Sequence, residues 1–134
     1  MRSSVPVPLS VATSTLIVVG AIMMMTTNAA AQTPMTGAEG ARLYQARCGT
    51  CHSIAANKIG PAHKGVFGRQ SAMAPGYNYS PALRAANINW NAATLDQWLQ
   101  GPQKMVKGSR MFLAVPNPTE RAAIIAFLQS DAAK

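Results

Sequence analysis

The chain has 134 residues, room for one domain with one modest core and not for two. Twelve Lys and Arg against four Asp and Glu give a formal charge of +8, which calls for an acidic partner. The cations from Arg42 to Arg121 are scattered without a dense run, so nothing favours nucleic acid; a diffuse cationic surface suits transient docking on an acidic protein.

Residues 1–31 stand apart from the domain. Arg2 is their only charge, and Leu16 to Met25 is an unbroken apolar run of signal-peptide length, too short to cross a bilayer as a helix. Ala29-Ala30-Ala31 is the small-residue pattern that signal peptidase accepts. A signal peptide over 1–31 is expected, with cleavage before Gln32, a domain over 32–134 and export to the periplasm. The alternative, an uncleaved membrane anchor, is disfavoured by the short run and its lack of flanking positive charge. The mature protein is expected to be a monomer with no stable membrane insertion.

Thr36-Gly37-Ala38-Glu39 reads as a capping box that opens a helix running to about Cys48, with Gly40, Tyr44 and Cys48 on one face. From Ser53 to Ser80 the chain is rich in breakers, among them Gly60-Pro61, Gly65, Gly68 and Ala74-Pro75-Gly76, and holds no period for long. A loop of nearly thirty residues in a small domain needs something to wrap, and a buried cofactor would supply the missing core. Two short helices are predicted next, over Pro81 to Ala86 and Asn91 to Gln100. In the second, Asn91 caps the start, Leu95, Trp98 and Leu99 share a face, and Gly101-Pro102 stops the run. A loop is expected from Pro102 to Pro116. The last helix opens at Asn117-Pro118-Thr119-Glu120 and carries an apolar stripe of Ala123, Ile124, Phe127 and Leu128.

The two cysteines decide the chemistry. In an exported protein such a pair is a disulfide, a redox-active dithiol, half a zinc site or a haem attachment. Here they stand in Cys48-Gly49-Thr50-Cys51-His52, the C-x-x-C-H pattern in which two thiols add to the porphyrin vinyl groups and the next residue sets an imidazole under the iron. Zinc needs four ligands, and His63 is the only other histidine. A thioredoxin-like dithiol needs a βαβ context, which is missing. One covalent haem c is therefore expected, bound through Cys48 and Cys51, with His52 as an axial ligand.

The opposite side of the iron has four candidates: His63, Met73, Met105 and Met111. His63 follows His52 by only eleven positions, too few to cross to the far face. Each methionine has a plainer reading as a core gap-filler. Met111 stands out because it sits in an irregular stretch, Lys107-Gly108-Ser109-Arg110-Met111-Phe112, which sulfur ligation would pin. A thioether also favours Fe(II) and raises the potential.

With these residues in place, the sequence resembles the class I cytochromes c, the group of mitochondrial cytochrome c and bacterial cytochrome c2, over nearly all of 32–134. Gly40 and Tyr44 match the glycine and aromatic of the family's first helix, and Ile124, Phe127 and Leu128 match the last helix that crosses it. Gly60-Pro61 matches the segment whose proline carbonyl accepts from the proximal histidine. Gly65-Val66-Phe67-Gly68-Arg69 is similar to the family's G-L-F-G-R and implies that Arg69 faces a haem propionate. Ala74-Pro75-Gly76-Tyr77-Asn78-Tyr79 and Ile88-Asn89-Trp90 imply propionate contacts from Tyr79 and Trp90. Gly108-Ser109-Arg110-Met111 is similar to G-T-K-M, implying Met111 as distal ligand with Ser109 as a nearby donor.

Three departures accompany the match. The loop from Ser53 to Lys58 is shorter than in the mitochondrial proteins, which points to a bacterial-type member. Trp98 replaces a common tyrosine and donates a hydrogen bond without accepting one. Leu83 stands where asparagine is frequent.

The resemblance implies an all-α fold of short helices and loops around one haem, with first and last helices packed together. It implies a soluble one-electron carrier, not an enzyme, shuttling between acidic redox proteins such as an oxidase or a reductase. Two alternatives remain at this point: a haem subunit of a larger oxidoreductase, and a haem protein whose displaceable distal ligand admits peroxide or a gas.

Overall fold

A computed structural model describes residues 37–134. The leader over 1–31 and the Thr36 end of the first capping box lie outside the described residues. Five α-helices follow in order, α1 (Gly37–Arg47), α2 (Pro81–Ala85), α3 (Ala92–Gln100), α4 (Pro102–Met105) and α5 (Pro118–Gln129), with a 3₁₀ turn at Asp131–Ala133. Among the described residues there is no strand, only an isolated bridge between Gln70 and Asn89. The fold is all-α.

Helix ends obey local chemistry. The Asn91 side chain accepts from the N–H groups of Ala93 and Thr94 at 3.0 and 3.1 Å, and the Thr94 hydroxyl accepts from the Asn91 N–H at 2.9 Å, closing a reciprocal cap on α3. Asn117 accepts from Thr119 N–H at 2.9 Å, and Pro118 fills the first helical position, where no N–H is needed. The stretch after Gly101 differs from expectation. Pro102 does end α3, but its preset φ also starts α4, so the Pro102 to Pro116 segment is a four-residue helix followed by loop.

Helices α1 and α5 cross and pack together. A Cβ on Gly40 would lie 2.5 Å from the Ala123 carbonyl oxygen and 3.1 Å from Phe127 Cβ, so only glycine permits this approach. Leu43, Tyr44, Ile124, Phe127 and Leu128 are buried around the crossing, with Leu95, Trp98 and Leu99 of α3 in the same cluster. Arg121 is buried and tied on two sides: it pairs with Asp96 of α3 at 2.6 Å and donates to the carbonyls of Val115 and Pro116 at 3.0 and 2.7 Å. That arrangement ties the start of α5 to α3 and fixes the exit of the preceding loop.

The long segment from Ser53 to Ser80 carries no helix, as its breakers predict. It is held at intervals by backbone bonds. His63 and Lys64 donate to Ser53 and Ile54 at 2.9 Å, Gly65 donates to Ala133 at 2.6 Å, and Trp90 donates to Arg69 at 2.9 Å. One wall of the domain is thus a strapped loop facing the helices.

Candidate functional site

The C-x-x-C-H motif sits where α1 unwinds. Cys48 N–H bonds to Tyr44 O at 2.8 Å, and Cys51 and His52 N–H both bond to Cys48 O at 3.0 and 2.8 Å, so helical winding continues one turn past α1. This turn brings both thiols and the imidazole to the wall of one cavity. No disulfide joins Cys48 and Cys51, of which the first is buried and the second exposed.

His52 is oriented before it meets any ligand. Its Nδ1 lies 2.8 Å from the Pro61 carbonyl oxygen. A carbonyl only accepts, so Nδ1 carries the proton and Nε2 keeps its lone pair. Burial drives the imidazole below its usual range, opposing the Pro61 bond and reinforced by Lys58, so the ring is neutral at neutral pH. Gly60 makes room for it, since a Cβ there would overlap the His52 ring.

The cavity has a volume of about 540 Å³ and a mainly apolar wall that includes Val66, Leu83, Trp90, Leu95, Leu99 and Ile124. Of Met73, Met105 and Met111, only Met111 lines it. Met73 is 60% exposed, and Met105 packs on the outer side of the core beside a separate shallow groove. Met111 Sδ accepts a hydrogen bond from Trp98 Nε1 at 3.2 Å. A thioether has two lone pairs, so this bond aims the sulfur and leaves one pair for a metal.

His63 also reaches the cavity wall but on the His52 side. The two imidazoles stack at 4.0 Å with 19° between planes, leaving no room for a macrocycle between them. His63 Nδ1 is 3.2 Å from the Tyr44 hydroxyl. Burial, then the charges of His52 and Arg69, holds His63 down at about 3, so it is neutral. This Tyr44–His63–His52 cluster, with Tyr44 edge-on to His63, is not legible in the sequence: residues 19 apart across an aperiodic loop give no spacing signal.

Of the remaining expected residues, Pro61, Arg69, Tyr79 and Trp90 line the same space and Ser109 does not. Tyr79 and Trp90 are buried in the wall, the Tyr79 hydroxyl accepts from Ala74 N–H at 3.2 Å, and its own proton remains to donate. Arg69 donates to the carbonyls of Lys64 and Ala62 at 2.6 and 3.0 Å. Ser109 is buried outside the cavity lining, its hydroxyl oxygen accepting from Gln103 Nε2 at 2.8 Å. Gln103 was not singled out from the sequence, because it lies in the segment expected to be loop.

These residues fit a haem. Arg69 Nε is buried without a hydrogen-bond partner, a costly state for a cation unless an acceptor meets it. Arg69 lines the cavity, so a carboxylate carried there would satisfy it. Apolar walls, two thiols on one rim, a lone-pair imidazole and a thioether sulfur complete the donor set.

Comparison with known proteins agrees. The family profile described as Cytochrome c matches residues 37–131. A cytochrome c of Cochliobolus lunatus is 38% identical over 97 residues, covering 69% of this chain and 90% of its own. A cytochrome c2 of Rhodopila globiformis is 41% identical over 95 residues, with the same shares. The solved structure of cytochrome cH from Methylobacterium extorquens superposes with a TM-score of 0.67 at 37% identity, covering 71% of this chain and 98% of its own. By motif, fold and relatives, the chain belongs to the cytochrome c family, haem-based electron carriers whose haem c is attached here through Cys48 and Cys51.

Proposed function

We propose that this chain is a freely diffusing one-electron carrier in which His52 and Met111 hold the haem iron six-coordinate and closed to substrates. The observation that carries this reading is that Met111 alone of the three candidate methionines lines the cavity, with its sulfur aimed by Trp98. When bound, haem c supplies an iron centre that takes up and releases one electron. The chain does the rest. Pro61 fixes the His52 tautomer so that Nε2 presents a lone pair, and the apolar wall excludes water, limiting reorganisation as charge changes. Arg69, Tyr79 and Trp90 serve as propionate partners in this reading, and Ser109 as a donor near Met111. Residues 1–31 serve as a cleaved leader, and the carrier works in the periplasm as a monomer; among the described residues no helix is long and apolar enough to cross a membrane.

The test is an optical and potentiometric study of the purified holoprotein. A single reversible one-electron wave, a sulfur-to-iron charge-transfer band in the ferric form and no carbon monoxide binding by the ferrous form are expected. A high-spin ferric spectrum with ready carbon monoxide binding would instead establish the gas- or peroxide-binding alternative.

Docking in this reading is steered electrostatically. The four carboxylates, Glu39, Asp96, Glu120 and Asp131, each pair with a nearby cation, Arg42, Arg121, Arg47 and Lys134 in turn. Lys104, Lys107 and Arg110 are exposed, lie within seven residues of one another in the segment leading to Met111 and make no ion pair among the described residues; Arg110 lines the cavity, and Lys107 borders the groove beside Met105. The cavity lining around Arg110 includes the apolar Ile59 and Phe112, both largely exposed, and the half-exposed Leu113. Cations would draw in an acidic partner and the apolar rim would make the close contact. Screening limits that attraction to about 8 Å at physiological salt. The bimolecular rate with an acidic oxidase or reductase should therefore fall steeply across a salt series. In a Lys104→Gln/Lys107→Gln/Arg110→Gln variant the curve should flatten, and identical curves would remove this face from docking.

A further inference from the structure

The methionine loop has little to hold it. Between the end of α4 and Pro116 there is no secondary structure, and its backbone bonds are sparse: Ser109 N–H to Val106 O at 3.1 Å, then Val115 N–H to Leu99 O at 2.7 Å. In the part between them, which carries Met111, the main chain is gripped by one side chain, Gln103, while the Arg110 side chain reaches out to Asn78 O at 2.7 Å. Gln103 Nε2 donates to Ser109 O at 2.5 Å, to Ser109 Oγ at 2.8 Å and to Met111 O at 3.0 Å, while Gly108 N–H donates to Gln103 Oε1 at 3.3 Å. Two amide hydrogens shared among three oxygens require one bifurcated bond. The assignment of the two amide ends is fixed by chemistry, since the reverse would face an oxygen with three oxygens.

We propose that Gln103 is a positioning residue for the distal ligand, acting through the loop backbone; this rests on the reading of Met111 as that ligand. The carboxamide satisfies the carbonyls on both sides of Arg110 and the N–H of Gly108, so it closes the loop into a rigid turn. Gln103 itself is held at the second position of α4, whose first residue, Pro102, is fully buried. The main chain is thereby clamped from α4, and the Met111 sulfur is aimed from α3 by Trp98. Neither contact suffices alone, because a long flexible side chain can be aimed only from a fixed backbone. Freed of the clamp, the loop would let Met111 leave the iron more often, and an exogenous ligand would compete better by the same factor.

The test uses holoprotein of wild type, Gln103→Ala, Gln103→Glu and Met111→Ala. Gln103→Glu keeps the shape but loses both donors and sets an anion against three oxygens. The readouts are the sulfur-to-iron band and the affinity of the ferric form for imidazole. Both Gln103 variants should keep covalent haem and a helical spectrum yet bind imidazole on the order of tenfold more tightly, the factor set by losing a hydrogen bond or two. Where Gln103→Ala is too unstable to purify, Gln103→Glu gives the measurement. An imidazole affinity within about twofold of wild type in a folded Gln103 variant overturns the clamp. If Met111→Ala keeps the sulfur band, it is the ligand reading that has failed, so the two failures are distinct.

Discussion

A Cys48→Ala/Cys51→Ala double variant should release all its haem to acidified organic solvent, while wild-type polypeptide keeps it. Acid protonates His52 and unfolding removes Met111 from the iron, so neither axial bond survives extraction; only thioethers do. The structure adds a second expectation. Both thiols line a cavity of about 540 Å³ whose wall is much of the domain's core, including Trp90, Leu95, Leu99 and Ile124. At roughly 24 cal/mol per Å³ of residual cavity, leaving it unfilled would cost on the order of 10 kcal/mol, comparable to the whole stability of a small domain. Haem lost from the double variant should therefore take the fold with it, seen as loss of the cooperative thermal transition and of most helical circular dichroism. Full covalent haem recovered from the double variant would overturn the attachment.

The same dependence explains which features could be read from the sequence. Capping is local, so Asn91 and Asn117 announced their helices with the right partners two and three residues on. The motif is local too, and the breakers from Ser53 to Ser80 are enough to show a helix-free stretch, which in the structure borders the cavity. Pro102 misled because Gly-Pro marks an end and a beginning alike. Long-range contacts left no trace: Tyr44 with His63, Arg121 with Asp96, and the hold of Gln103 on a loop that starts four residues later. Trp98 is an intermediate case. Its ability only to donate was evident from residue type, but its target, the Met111 sulfur, emerged only when α3 and the loop were brought together.

The second large effect is expected at Met111. Met111→Ala should abolish the sulfur-to-iron absorption of the ferric protein, admit imidazole to the iron and lower the reduction potential. The sign follows from ligand chemistry: a neutral, polarisable thioether stabilises Fe(II), whereas the water or hydroxide that replaces it favours Fe(III). Axial ligands set haem potentials over a span of about 0.8 V, so this exchange should rank among the largest single-residue shifts open to the protein. Met105→Leu is the matched control. Met105 packs against the core from α4 outside the cavity, and a near-isosteric apolar swap there should cost less than about 1.5 kcal/mol while leaving band and potential in place. Trp98→Phe lies between the two. It keeps an aromatic ring at the cavity wall but removes the donor that aims Met111, so it should retain ligation and shift the potential by less than Met111→Ala. A sulfur band lost in Met105→Leu and kept in Met111→Ala would mean that the loop sits in another register when haem is attached, with Met105 drawn across the cavity in place of Met111.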